Sequence, residues 1–271
     1  MNKEKGFTLI ELMVVLAISG FIVAVVYIIY DSQQKSYTTQ EQVSTMQQNL
    51  RAVMYFMQRE IRMAGYDPLG TNRFSVTDIR RRDINNNLDV NGNGSLEITI
   101  DQDGDGVLGA GDETVYYAIA DFPTASPDGN PDLARRIGAG ARELFTENIV
   151  SLGFAYAFDN NADNQLDTSA GGNIIWAIDS DNDNDLDTGL DTDDDGDIDL
   201  NDNAAGTGLG TNVNTDEIRA VMIWLLARVD RMEDDFYDRT TYVVANQRVM
   251  PNNAFRHRLL TTTVNCRNMG L

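Results

Sequence analysis

Aspartates recur at alternate positions in two stretches of this 271-residue chain. Asp101–Asp112, DQDGDGVLGAGD, places Asp101, Asp103, Asp105 and Asp112 at loop positions 1, 3, 5 and 12, with Gly106 at 6 and Leu108 at 8. Asp191–Asp202, DTDDDGDIDLND, repeats this with Asp191, Asp193, Asp195, Asp199 and Asp202, Gly196 at position 6 and Ile198 at position 8. That is the spacing of a twelve-residue calcium-binding loop, in which alternate residues turn inward on one ion and Gly permits the sharp bend. Weaker copies stand one period of twelve earlier: Asp89, Asn91, Asn93 with Glu97, and Asp179, Asp181, Asp183 with Asp187. A fifth has Asp159, Asn161, Asp163 and Asp167. Hard oxygen ligands without His or Cys point to Ca²⁺ rather than a transition metal, and their number favours it over Mg²⁺.

The competing reading is a solvated, self-repelling acidic loop. Two features oppose it. An aliphatic residue fills position 8 of all five copies (Leu96, Leu108, Leu166, Leu186, Ile198), where such a loop pins itself to a core. Asp at this density also resists compaction unless cations are bound. Asp instead of a bidentate Glu at position 12 sets the expected affinity in the weak, extracellular range, near ~10⁻⁴ M.

The formal charge is −21, with 42 acidic and 21 basic side chains. Residues 83–113 and 159–202 carry −8 and −15 without a single Lys or Arg, so the remainder is slightly positive. No concentrated basic surface exists for phosphate contacts, which excludes nucleic acid as a partner. One cysteine, Cys266, precludes an intrachain disulfide and a CxxC pair. One histidine, His257, leaves little for acid–base catalysis near neutral pH. Neither has a catalytic partner at a recognisable spacing, so both read as strand positions, and the chain leans away from enzymes.

Loops of this kind need a scaffold, and the sequence supplies one. Phe7–Tyr30 is a 24-residue run in which Glu11 is the only charged side chain. As a helix it would reach about 36 Å, enough to cross a bilayer core. Lys3 and Lys5 in the six-residue leader keep that leader cytoplasmic and send the remaining chain outward. A cleaved signal peptide fits badly, because its apolar region is shorter and lacks a carboxylate. After Tyr30 the composition turns polar while Val43, Met46, Leu50, Val53, Met57 and Ile61 keep a helical stripe, which Gly65 and Pro68 end. One helix from Phe7 to about Ala64 would be roughly 85 Å long.

The rest reads as strands: 95–100, 113–120, 148–158, 173–179, 240–246 and 258–265, rich in β-branched and aromatic residues. Residues 218–229, IRAVMIWLLARV, are expected as a central strand buried on both faces. Residues 121–131 and 203–214 read as loops. The predicted organisation is α+β, with an antiparallel sheet head on the distal half of a long N-terminal helix. It comprises a leader (1–6), an apolar helix (7–30), an amphipathic helix (31–64) and a head (65–271) with acidic insertions at 83–113 and 159–202.

GFTLIELMVVLAISG, Gly6 to Gly20, resembles the processing site and membrane helix of type IV pilins and type II secretion pseudopilins. The resemblance implies cleavage by prepilin peptidase between Gly6 and Phe7, methylation of the new Phe7 amine, and a pilin-like fold. It also implies that Glu11 neutralises the Phe7 amine of an adjacent subunit during assembly. The residues alone equally allow Glu11 to snorkel to the headgroups one turn away. QREIRMAGYDP (58–68), IRAVMIWLLAR (218–228) and FRHRLLTTTVNCRN (255–268) resemble the helix end and late strands of PilW-type minor pilins. That implies a structural subunit of a pilus tip or priming complex, anchored in the inner membrane with its head outside the cytoplasm. Its partners would be major and other minor pilins. The J-type pseudopilin of type II secretion shares much of this plan. A membrane-tethered, calcium-dependent adhesion module is the alternative from another class.

Overall fold

The computed structural model describes residues 8–71, 74–83, 87, 89, 91–109, 111, 113–122 and 129–269. The chain divides into two compact units, Met1–Thr45 and Met46–Leu271. Helix α1, Leu9–Met63, starts in the first and ends in the second. No Pro or Gly interrupts it after Gly20, and its 55 residues are an unbroken run of side chains compatible with helix. Large apolar side chains between Leu9 and Tyr30 stand exposed, and this stretch is long and apolar enough to cross a membrane.

In the second unit α1 buries Met46, Leu50, Val53, Met54, Met57 and Ile61, the expected stripe with Met54 added and without Val43, which is only half-buried. The helix stops at Gly65, whose φ of +74° a side chain resists. A Cβ there would also sit 2.6 Å from Met269 Cγ. The Gly65 N–H instead turns to the Thr99 carbonyl at 3.1 Å.

Five strands follow in sequence order in one antiparallel sheet: β1 (Val76–Asp78), β2 (Leu96–Thr99), β3 (Thr114–Asp121), β4 (Pro131–Ile137) and β5 (Arg142–Thr146). A second sheet contains β6 (Ile149–Phe158), β7 (Ala177–Ile178), β8 (Asp185–Gly189), β9 (Thr207–Asn214), β10 (Ile218–Arg228) and β13 (His257–Asn265). Its order is β13-β10-β6-β7-β8-β9, again antiparallel. A hairpin of β11 (Tyr242–Val244) and β12 (Gln247–Val249) completes the unit.

Strand β10 is the expected central strand, paired on one side with β6 and on the other with β13. Gln58 of α1 donates to Thr262 Oγ1 at 2.6 Å, and Thr262 stands opposite Ile223 in the ladder. Residues directly opposite share a face, so α1 lies on the side of Val221, Ile223 and Leu225. The other face holds Ala220, Trp224 and Leu226, packed with Trp176, Ile178, Leu190, Val244 and Ala245. Burial on both sides explains why β10 is apolar at nearly every position.

Three expectations change. The head is two sheets and a hairpin, not one sheet. Residues 207–214, read as a loop, form edge strand β9, held by its ladder to β8 although most of its side chains are exposed. Residues 173–179 contribute only the two-residue β7 and an isolated bridge from Ile174 to Thr168.

Candidate metal sites and the N-terminal segment

Four of the acidic copies share one backbone design. Loop positions 4 and 6 both have positive φ in each: Gly104 and Gly106, Ala162 and Asn164, Asn182 and Asn184, Asp194 and Gly196. The side chain at position 1 caps the bend. Asp101 accepts from the N–H groups of Gly104 (2.7 Å) and Gly106 (3.1 Å), and Asp179 from those of Asn182 (2.6 Å) and Asn184 (2.8 Å). Asp191 accepts from Asp195 (3.2 Å) and Gly196 (2.8 Å), and Asp159 from Asp163 (3.2 Å) and Asn164 (2.9 Å). Asn at position 6 of the weaker copies does the work of Gly, since it tolerates the left-handed region.

Carboxylates converge in three of these loops, each group offering oxygens within 4.8 Å of one another. The groups are Asp101, Asp103, Asp105 with Glu113; Asp179, Asp181 with Asp187; and Asp191, Asp193 with Asp202. Asp112 lies outside the described residues. Glu113, which the twelve-residue spacing passes over, joins the first group instead, and the shift to position 13 is what hid it. Asp183 and Asp195 lie outside these groups and accept from the N–H groups of Asp185 (2.9 Å) and Asp197 (2.9 Å). Asp199 lies outside the third group, its carboxylate accepting from the backbone N–H and the side-chain amide of Asn201 (2.6 and 3.1 Å).

The remaining copies do not assemble as expected. Asp159, Asp163 and Asp167 do not converge, and Asn161 caps the Asp163 N–H at 2.9 Å. Glu97 directs its carboxylate to Thr77 (3.0 Å) and Arg136 (3.8 Å). Asn93 bonds Asp89 (3.2 Å) and the Leu152 N–H (3.2 Å), while Asp89 caps the Asn91 N–H at 2.7 Å. The position-8 anchors hold at Leu96 and Leu186, fully buried, and at Leu166 and Ile198, packed on the Trp224 cluster. Leu108 is a correction, 44% exposed.

Two loops are fastened to distant elements. Asn184 Oδ1 accepts from Ile79 N–H (3.1 Å), Asn182 Oδ1 from Arg81 N–H (2.8 Å), and the Ser180 carbonyl from the Arg81 guanidinium (2.7 Å). The 179–187 loop thus binds the segment after β1 to the second sheet. Arg248 of β12 donates to the carbonyls of Asp199 (2.8 Å) and Asp202 (3.0 Å). Burial, with repulsion from Asp183 and Asp187 added, raises the Asp179 pKa despite its backbone donors. Burial pushes Asp202 the same way, but N–H donors from Asp199 and Thr192 prevail and hold it below the ordinary carboxylate value.

His257 and Cys266 are buried, at the start of β13 and just after it. His257 does have an acidic partner, 19 residues away: Asp238 Oδ2, 2.9 Å from Nδ1, which also accepts from the Tyr242 hydroxyl at 2.9 Å. Burial pushes the Cys266 thiol up to about 12. Arg256, just before β13, forms a two-point pair with Glu233 (2.7 and 2.8 Å).

At the other end, Gly6 and Phe7 lie outside the described residues. Glu11 sits in the first turn of α1, where its carboxylate accepts from the N–H and hydroxyl of Thr8, both at 2.8 Å. The Glu11 N–H returns a bond to Thr8 Oγ1 at 3.3 Å. This T-x-x-E capping box occupies N–H groups that the helix start leaves without partners.

Residues 1–27 match the family described as the prokaryotic N-terminal methylation motif. No curated protein matches the chain significantly. Among solved structures, a type IV-like pilin from Thermus thermophilus is similar at 11% identity and a TM-score of 0.41, over 83% of this chain and 98% of that one. That likeness is too loose to transfer any residue.

Proposed function

We propose that this chain, type IV pilin-like by its N-terminal methylation motif, is a PilW-type minor pilin: a structural subunit of a pilus tip or priming complex. The observation that carries the reading is the motif at residues 1–27, leading directly into a helix whose apolar side chains are exposed from Leu9 to Tyr30. So much apolar surface is untenable in water and is satisfied by lipid or by the matching helices of other pilins. Prepilin peptidase cuts between Gly6 and Phe7 on the cytoplasmic side of the inner membrane, and the Phe7 amine is methylated. Glu11 then supplies the negative charge that pairs with a neighbouring subunit's N-terminus. The head, outside the cytoplasm, is stiffened by Ca²⁺ held in its acidic loops, where carboxylates converge in segments whose own sequence carries no Lys or Arg.

The test is intact mass and N-terminal sequencing of the protein from its native membrane, with the peptidase present and absent. A peptidase-dependent chain beginning at methylated Phe7 supports the reading. A chain still beginning at Met1 in both samples overturns assembly and leaves a tethered calcium-binding module. Co-purification with pilus subunits rather than secretion pseudopilins separates the minor pilin from the J-type pseudopilin.

A further inference from the structure

Glu113 is only 3% exposed, and its Oε1 is buried without a hydrogen-bond partner. Its position is not accidental. Thr99 and Thr114 close the β2–β3 ladder, and the Ile100 N–H extends it by one rung to the Glu113 carbonyl at 2.8 Å. The side chain is thereby fixed at the mouth of the 101–112 loop, where Oε2 accepts from the Gly109 N–H. An orphaned carboxylate oxygen in a buried place is costly unless something positive meets it. Among the described residues no Arg or Lys pairs with Glu113, Asp101, Asp103 or Asp105. Yet these four carboxylates offer oxygens within 4.8 Å of one another. Oxygens on opposite sides of a calcium ion at about 2.4 Å lie about 4.8 Å apart, so atoms no farther apart than that can share one shell.

The loop also grips the end of α1. The Asp101 N–H donates to the Tyr66 carbonyl at 2.9 Å, one residue past the Gly65–Thr99 bond. Gly106 has φ +71°, and a Cβ there would lie 2.9 Å from both Leu69 Cδ1 and Thr71 Cγ2. Loop and helix exit are therefore in direct apposition over residues 65–71.

We propose that Glu113, carried by the β3 end of the ladder, closes a Ca²⁺ site with Asp101, Asp103 and Asp105, and that the ion locks the exit of α1 to the β2–β3 connection. The inference rests on the calcium reading above and deepens it: the terminal ligand is at position 13, and the site serves the junction between helix and head. The longer Glu side chain supplies the two-oxygen ligand that Asp at position 12 lacks.

The test uses the full chain in detergent micelles and calcium alone as the probe. Equilibrium dialysis gives the number of ions bound by the wild type, Glu113→Gln and Asp112→Asn. The expected result is one ion fewer for Glu113→Gln and the wild-type number for Asp112→Asn. Hydrogen exchange with and without calcium adds a readout that needs no variant: in the wild type, calcium slows exchange in peptides covering 64–71 and 99–109. In Glu113→Gln that slowing is lost while peptides over 191–202 remain protected, which also shows that the variant is folded. An unchanged ion count in Glu113→Gln, loss of the ion in Asp112→Asn, or no calcium effect on the 64–71 peptides in the wild type overturns this inference. No calcium bound by the wild type at all overturns the broader calcium reading with it.

Discussion

Replacing Glu60 by Leu removes the acceptor that joins the last turns of α1 to the five-stranded sheet. Glu60 accepts from the Arg135 guanidinium, at 3.2 Å through Nε and more closely through Nη2, and from the Tyr117 hydroxyl. Tyr117 is fully buried, so its hydroxyl would be left without a partner at a cost of about 1–2 kcal/mol. The charge-assisted pair adds about 1.5–3 kcal/mol, discounted because Arg135 and Glu60 keep 19% and 21% exposure. The expected loss for Glu60→Leu is therefore about 3 kcal/mol. In Glu60→Leu/Arg135→Leu no charge is stranded and mainly the Tyr117 hydroxyl suffers, so the double variant should lose only about 1–1.5 kcal/mol. The assay is urea unfolding of the full chain in non-ionic micelles with calcium present, followed by fluorescence of Trp176 and Trp224, both in the core of the second sheet. A single variant within about 0.5 kcal/mol of wild type, or a double variant worse than the single, would refute the reasoning.

Leu186→Ala, at a fully buried position 8, should cost about 2–5 kcal/mol in the same assay, whereas Leu108→Ala, at the exposed position 8, should cost under about 1. Equal losses would show that both loops are pinned alike. Burial holds the His257 imidazole below its ordinary value, against the pull of Asp238. The unfolded chain then takes up the proton first, so this contribution to stability is complete above about pH 6.5 and falls away as the pH drops toward the folded-state value. NMR of the single imidazole should show a midpoint below about 6.5, and a midpoint above it contradicts this. Glu11→Gln can still form the capping box with Thr8 but removes the charge. If the charge serves assembly, this variant is processed normally yet fails to enter pili. Normal piliation would leave Glu11 as a helix cap alone.

Strong periodicity was legible and weak side-chain signals were not. The α1 stripe and the apolar β10 declare themselves because burial of one helical face, or of both strand faces, dictates residue type along the segment. Strand β4 is harder to see. Its PDLARRI contains two arginines whose burial depends on Glu60 and on the Tyr116 ring, with Arg136 4.9 Å over the latter, and local pattern cannot supply those partners. Strand β9, with Gly208 and Gly210, is defined by its ladder and carries little side-chain information. The acidic loops are legible as a repeated pattern because Asp or Asn recurs at positions 1, 3 and 5 and Gly or Asn at position 6, where φ is positive in four of them. Which carboxylates converge was less so. Asp199 is diverted by a local turn, and Glu113 is recruited by strand pairing, a constraint from outside the loop.

The contact between the helix end and residues 268–269 sets a timetable. Asn268 Nδ2 reaches the Met63 carbonyl at 3.4 Å across 205 positions, and Met269 covers Gly65. At ribosomal speeds of about 5–20 residues per second, the later partner emerges roughly 10–40 s after the earlier one. During that interval the six-stranded sheet also lacks β13, so one hydrogen-bonding edge of β10 has no partner. The five-stranded sheet pairs in sequence order and can form as it is synthesised, but the six-stranded sheet cannot close before β13 is made. Until residues 257–269 arrive, the nascent chain presents an open sheet edge, and this is the window in which a chaperone would find work.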